Sequence, residues 1–302
     1  MNDALDLNVL PGLLPRLKLQ TAQLEFGPPP APFERALPDW LRALPAALLG
    51  SATDAIAEYG LSVTADFERW TYRASGNTDT LIAPLAAYFA RLDVPASELN
   101  QLQAIGQLIN PDQLGCWLEV QSSSQNTGWS INGPIALASA LTALPVSEDA
   151  AILHTWLQRQ ALDTVSYLAR ALGTGDPHAE VRITLTAADA LGAIKLALDL
   201  YAALQVPAPT NDVLRVLLNA PQPQVEVSLW LNSQGVVKIG LMLPQPTRGL
   251  VLDLARLSGQ TSFEPLATLE GILGVELPVA VEWQQRAAGA GAELHYRVAG
   301  EL

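Results

Sequence analysis

One unit of this 302-residue sequence is written twice. Residues 78–132 read as an Ala/Leu-rich helix (Leu81 to Leu92), the turn Asp93-Val94-Pro95-Ala96, a short helix to Ile109, and two extended runs, Gly115–Ser122 and Gly128–Asn132. Residues 190–243 keep that order: a helix to Leu204, the turn Gln205-Val206-Pro207-Ala208, a helix to Leu218, then strands Val225–Asn232 and Val236–Leu243. Aligning Leu92 with Leu204 superimposes the two Val-Pro-Ala turns at an offset of 112 residues. A partial third copy has helix Ser262–Leu273 and strands Val279–Arg286 and Ala292–Val298. A supersecondary unit of this size cannot bury its apolar face alone, so the copies must close a core against one another.

The remaining sequence supplies more strands. Val181, Ile183 and Leu185 alternate with polar residues over Glu180–Thr186, which predicts a strand. Val165–Leu172 is its hairpin partner across Gly173-Thr174-Gly175-Asp176-Pro177. Helix competes there, because Ile152, Trp156, Leu157 and Ala161 lead in at helical spacing. Leu61–Ser75 is extended, as one bent strand or two, and the full count is ten strands in five pairs. Near the start, Pro28-Pro29-Pro30 and Pro32 mark a loop into a helix Phe33–Leu49 that Pro38 and Pro45 interrupt.

Composition excludes several classes. Apolar residues make up 49% and charged residues 16%, too apolar for a disordered chain. Seventeen basic residues, three of them lysine, stand against thirty acidic ones, and a net charge of −13 is the wrong sign for nucleic acid. Apolar runs are short and interrupted, so no membrane span is expected. No basic n-region precedes an apolar stretch at the amino terminus, so the expected compartment is the cytoplasm. The single cysteine, Cys116, rules out a disulfide framework.

The strand patterns give each strand an aliphatic face and a polar or aromatic one. Val225, Val227, Leu229 and Leu231 oppose Glu226, Ser228, Trp230 and Asn232, and Val237, Ile239, Leu241 and Leu243 oppose Lys238, Gly240 and Met242. Val279, Val281 and Trp283 oppose Glu282, Gln284 and Arg286, while Leu294, Tyr296 and Val298 oppose His295 and Arg297. A polar face is ordinarily a solvated one. Here five of seven tryptophans (Trp70, Trp117, Trp129, Trp230, Trp283) fall in strands, and the interleaved amphipathic helices must cover the aliphatic face. If the sheet closes, the polar face becomes an enclosed lumen.

This order resembles the αββα (ABBA) prenyltransferases, and most of all the cyanobactin peptide prenyltransferases. The residues that carry the resemblance are Phe33-Glu34-Arg35 after the Pro-rich run, Glu68-Arg69-Trp70 on an early strand, and Gly115-Cys116-Trp117-Leu118-Glu119 before the Ser122-Ser123-Ser124 turn. His295-Tyr296-Arg297 in the last hairpin belongs with them. Val237-Lys238-Ile239-Gly240 is similar to the Lys-x-Tyr strand of indole prenyltransferases, with Gly240 in the tyrosine's place. The fold expected is mixed α/β (α+β), a single domain over residues 1–302. It is a closed antiparallel barrel of about ten strands inside a ring of helices.

The resemblance implies transfer of a dimethylallyl or geranyl group from its diphosphate to a peptide or aromatic acceptor, usually with Mg2+. The leaving group carries about three negative charges and needs converging cations. The candidates are Arg69, Arg73, Arg182, Lys238, Arg286 and Arg297. The allyl cation needs aromatic faces, for which Trp70, Trp117 and Trp230 are candidates, with Tyr72 and Tyr296 behind them. Glu119, Glu226, Glu282 or His295 would take the acceptor's proton. The run Trp129-Ser130-Ile131-Asn132 carries no cation where the family's strand is rich in them, and Glu119 stands where an arginine is expected. The alternative is therefore an inactive protein of this fold that binds a peptide or hydrophobic small molecule. No dinucleotide fingerprint, phosphate loop or nucleophile elbow is present, and no metal ligand set is expected around His154 or His178. Trp156 reads as core, Trp283 as packed under a helix, and Asp189, Asp199 and Asp253 as solvated helix charges.

Overall fold

The computed structural model describes residues 56–64, 68–75, 96–106, 114–120, 125–172, 178–220, 223–259, 266–267, 270–271, 275–286 and 289–298. Helices Phe33–Leu49 and Leu81–Leu92, the Phe33-Glu34-Arg35 segment and the Ser122-Ser123-Ser124 turn lie outside the described residues, as does most of helix Ser262–Leu273.

Mixed α/β structure with a curled antiparallel sheet is what the described residues form. Ten strands are present: β1 (Ile56–Val63), β2 (Glu68–Ser75), β3 (Leu114–Val120), β4 (Gln125–Ala136), β5 (Thr164–Ala171), β6 (His178–Thr186), β7 (Gln224–Asn232), β8 (Gly235–Pro244), β9 (Ala280–Arg286) and β10 (Gly289–Val298). Each pairs antiparallel with its sequence neighbours, and β1 also pairs with β10, with Leu61 opposite Tyr296 and Ser62 opposite His295. Leu61–Ser75 is thus two strands, and 165–172 is a strand, its helical lead-in belonging to a separate helix upstream.

β4 runs well beyond the expected Asn132. Its register with β5 shifts between Asn132 and Ile135, where Gly133 takes a φ of 95° and Pro134 has no N–H to offer. A bulge admits both residues without ending the strand, which a pattern search reads as a turn.

Six helices complete the described fold: α1 (Ala96–Gly106), α2 (Leu137–Thr142), α3 (Glu148–Arg159), α4 (Ala190–Ala203), α5 (Asn211–Leu218) and α6 (Arg248–Leu257). Four begin on a side-chain cap that satisfies an orphan amide. The Ser147 hydroxyl accepts from Ala150 N at 3.2 Å, Asp189 from Gly192 N at 2.7 Å, Thr210 from Val213 N at 3.5 Å and Thr247 from Leu250 N at 3.3 Å. Asp189 is therefore a cap, and Asp199 accepts the buried Trp156 Nε1–H at 2.8 Å; neither is the merely solvated charge its position on a helix suggests. No helix among the described residues is long and apolar enough to cross a membrane.

The core lies between the sheet and these helices. Val181, Ile183, Val227, Leu229, Ile239, Leu241, Val281 and Trp283 from the strands pack in one cluster with Leu153, Trp156, Ile194, Leu200, Val213, Val251 and Leu254 from the helices. Burying each such side chain contributes roughly 1.5–3 kcal/mol. Trp129 and Tyr296 belong to this cluster too, so Tyr296 stands on the helix-covered face and not behind an inner aromatic wall. Arg170 is buried beside Trp129 on that face, a charge the core tolerates because Glu98 of α1 and the Ala143 carbonyl after α2 bind it.

Candidate functional site

The opposite face of β6 to β10 is polar, and it is there that charge collects. Arg182, Ser228, Gly240 and Gln284 lie in one cross-strand row, since Arg182 pairs with Ser228, Ser228 with Gly240 and Gly240 with Gln284. Residues opposite one another across a ladder share a face. A second row runs Glu226, Met242, Glu282, Glu293, and a third runs Glu180, Trp230, Lys238, Arg286. Of these, Ser228, Lys238, Glu282, Gln284 and Glu293 are almost fully buried, though none belongs to the apolar cluster.

Glu282 is the centre of this network. Its side chain leaves β9 opposite Met242 and runs along the sheet to lie over Gly240, where a Cβ would overlap its carboxylate. There the Ser228 hydroxyl donates to Oε1, while Oε2 accepts from Gln284 Nε2 at 2.7 Å and meets His295 Nε2 at 3.3 Å. His295 Nδ1 lies 3.0 Å from the Ser62 hydroxyl, so the ring bridges Ser62 and Glu282. Lys238 Nζ stands 3.9 Å from both Glu282 and Glu293, and Gln284 also donates to Glu293. Burial pushes the Glu282 carboxyl up, but Lys238 and the hydrogen bonds from His295 and Ser228 outweigh it and hold it well below the usual carboxylate range.

The other cations are matched in the same way. Arg182 Nε donates to Glu180 at 2.8 Å, and its guanidinium lies 4.3 Å from the centre of the Tyr167 ring. Burial works against the Arg182 charge, yet the Glu180 carboxylate prevails and raises its pKa above the ordinary value. Arg286 bonds Gln284 and lies 3.6 Å from Glu293. Lys238 Nζ rests 4.3 Å over the Trp230 ring, and the His178 ring stacks on the same indole at 5.1 Å.

The predicted residues fall into three groups. Arg182, Lys238, Arg286, Trp230, Glu282 and His295 are brought together on the inner face. Glu226, half-buried, accepts at 3.4 Å from Thr184, its partner across the ladder. Arg297 is exposed at the far end of β10, eight residues or about 27 Å of strand from Gly289, the partner of Arg286. Two side chains so spaced do not grip one diphosphate. For Arg69, Trp70, Tyr72, Arg73, Trp117 and Glu119 the strand register is described and the side chains lie outside the described residues. Position 69 pairs with Ser62, 73 with Glu58 and with 117, and 119 with 71; position 70 pairs with Leu61 of the apolar cluster and 72 with Tyr59. By register, positions 70 and 72 thus go with the helix-covered face.

Sequence reading missed Glu180, Gln284 and Glu293. They alternate with Val181, Trp283 and Leu294, but nothing local in the sequence marks an acid or amide as the partner of a cation on another strand. Among the described residues no three His, Cys, Asp or Glu side chains converge as a metal site. A separate open cleft of about 440 Å³ lies outside the barrel beside α6, where Arg248 and the Tyr296 hydroxyl both bind Glu270.

Acid should reveal the Glu282 clamp. A carboxyl held below its ordinary value of 4.5 adds stability that is complete above that pH and lost as pH falls through the lower folded value. Glu282→Gln is expected to flatten the fall of Tm below pH 4.5. An acid limb parallel to that of the wild type would show the carboxylate unpaired.

The fold is that of known prenyltransferase barrels. The structure of 6-dimethylallyltryptophan synthase from Micromonospora olivasterospora in complex with DMASPP and Trp is similar at TM-score 0.53 and 13% identity, covering 80% of this chain and 81% of that one. AnaPT from Neosartorya fischeri matches at TM-score 0.53 and 11% identity, over 80% and 77%. A further 6-dimethylallyl tryptophan synthase matches at TM-score 0.51 and 14% identity, over 80% and 82%. At these identities the likeness establishes the fold. In sequence, the chain is 27% identical over 240 residues to a PH domain-containing protein of Dictyostelium discoideum, a match covering 78% of this chain and 52% of that protein. The chain therefore spans about half the length of this curated relative. No protein-family model matches the sequence.

Proposed function

We propose that the chain, acting as one domain in the cytoplasm, transfers a dimethylallyl or geranyl group from its diphosphate to an aromatic or peptide acceptor inside a closed barrel. The observation that carries this reading is Lys238 resting 4.3 Å over the Trp230 ring on the polar inner face. Prenyl transfer needs a cation for the leaving group directly beside an aromatic face for the allyl cation. A diphosphate that draws Lys238 toward itself also uncovers the indole face beside it.

In the reaction the bond between the allylic carbon and the diphosphate oxygen breaks, and the acceptor atom bonds to that carbon. Diphosphate departs against Arg182, Lys238 and Arg286, with Arg69 and Arg73 of β2 as further contributors. The acceptor's proton passes to an inner-face base. Glu226 suits this best, because among the described residues no cation lies within 4 Å of it, whereas Glu282 is held ionised by Lys238. Glu119 is the alternative base on β3, and Trp117 a second aromatic face.

The second reading is a non-catalytic binding protein of the same fold. It is favoured by the carboxylates: Arg182, Lys238 and Arg286 each already have one within 4 Å. Mass spectrometry of the purified chain with dimethylallyl or geranyl diphosphate, magnesium, tryptophan and aromatic peptides separates the two. The expected result is an acceptor heavier by one prenyl group, lost in Arg182→Ala. No product, and no rise in Tm with either diphosphate, supports the binding protein.

A further inference from the structure

Resting on the diphosphate reading above, we infer that the Glu282 carboxylate is a built-in counter-anion: it fills the anion position beside Lys238, and an external diphosphate binds only by displacing it. The argument begins with the path of the side chain. Glu282 is paired with Met242 and Glu293, yet its carboxylate lies one row away, over Gly240, within reach of Ser228 and Lys238. That path exists because residue 240 has no side chain; any Cβ there would overlap the carboxylate.

The carboxylate is also clamped, which distinguishes it from a side chain that happens to lean on a lysine. Ser228 of β7 holds one oxygen, and Gln284 of β9 with His295 of β10 holds the other. Lys238 of β8 supplies the charge, so four adjacent strands contribute to one position. Glu293, also of β10, completes the neutralisation, 3.9 Å from Lys238 and 3.6 Å from Arg286. A diphosphate brought to Lys238 meets two carboxylates before it meets an available cation, and like charges at such distances repel strongly where water is excluded. Glu282 thereby sets the selectivity of the site. It disfavours a highly charged phosphate head and leaves neutral ligands unaffected.

The test uses the full chain with inorganic pyrophosphate as the probe, read by calorimetry and by the shift in Tm. Glu282→Gln keeps the shape of the side chain and its bonds to Ser228 and Gln284 while removing the charge; it is expected to bind pyrophosphate on the order of tenfold tighter than wild type. Gly240→Ala leaves the carboxylate in the chain but evicts it from the position, and should shift affinity the same way. Glu148→Gln, an exposed acid at the start of α3, should change nothing. Adding Lys238→Met to Glu282→Gln should abolish the gain. Equal affinity in wild type, Glu282→Gln and Gly240→Ala, with binding lost in Arg182→Ala, overturns the counter-anion and leaves the diphosphate site standing. No binding by any variant removes the diphosphate reading itself, and the counter-anion with it. Should Glu282→Gln fail to fold, Gly240→Ala decides between these outcomes alone.

Discussion

Arg170→Met is expected to destabilise the chain by about 3–5 kcal/mol, seen as a lower urea midpoint at unchanged m-value. Arg170 is only 7% exposed on the helix-covered face of β5. Its Nε and Nη2 donate to the two oxygens of Glu98 at 2.9 and 2.5 Å, and its Nη1 donates to the Ala143 carbonyl at 2.9 Å. One guanidinium thus ties the sheet to α1 and to the C-terminal end of α2. Removing it strands a half-buried carboxylate and an orphan carbonyl together, which costs more than the pair ever contributed. Arg170→Lys should recover little, because one ammonium cannot span the fork and the carbonyl at once. The double variant Arg170→Met/Glu98→Leu should recover most of the loss, since no charge is then left behind. A cost below 1 kcal/mol for Arg170→Met would show that Glu98 is solvated and α1 is not docked by this pair.

Arg170 also shows where sequence reading reached and where it stopped. Alternation over Val181–Leu185, Val225–Leu231 and Ile239–Leu243 assigned the two faces of the sheet correctly, because half-burial imposes a period of two. The same rule placed Trp283 under the helices and brought Arg182 and Lys238 to one face. It failed where the backbone departs from regularity. The Gly133-Pro134 bulge concealed four residues of β4, and a second shift between Trp230 and Leu231 leaves Val237 exposed although it alternates with Ile239. Pattern also cannot rank partners. A buried arginine on the core face looks in sequence like any strand arginine until its carboxylate arrives from 72 positions away. For the site, each cation was legible singly, but its pairing depends on Glu282 crossing Gly240, a contact between strands that no local window contains.

That crossing makes Lys238 the most consequential inner-face residue. Lys238→Met should abolish any diphosphate-dependent rise in Tm and, independently, cost about 3–5 kcal/mol of stability, because Glu282 and Glu293 lose the cation they share. The two effects can be separated. The attraction of Lys238 is the largest influence lowering the Glu282 pKa against burial, so without it the carboxyl rises and takes up a proton more readily. The stability gap between wild type and Lys238→Met should therefore be widest at neutral pH and narrow as pH falls below 4.5, where wild type begins to lose its own advantage. Lys238→Met/Glu282→Gln removes one buried charge of each sign and should regain much of the stability at pH 7 while regaining no diphosphate binding. A double variant that is stable but silent toward diphosphate assigns Lys238 to the ligand as well as to the fold. One that still responds to diphosphate leaves Lys238 a purely structural counter-charge and moves the anion site toward Arg182 and β2.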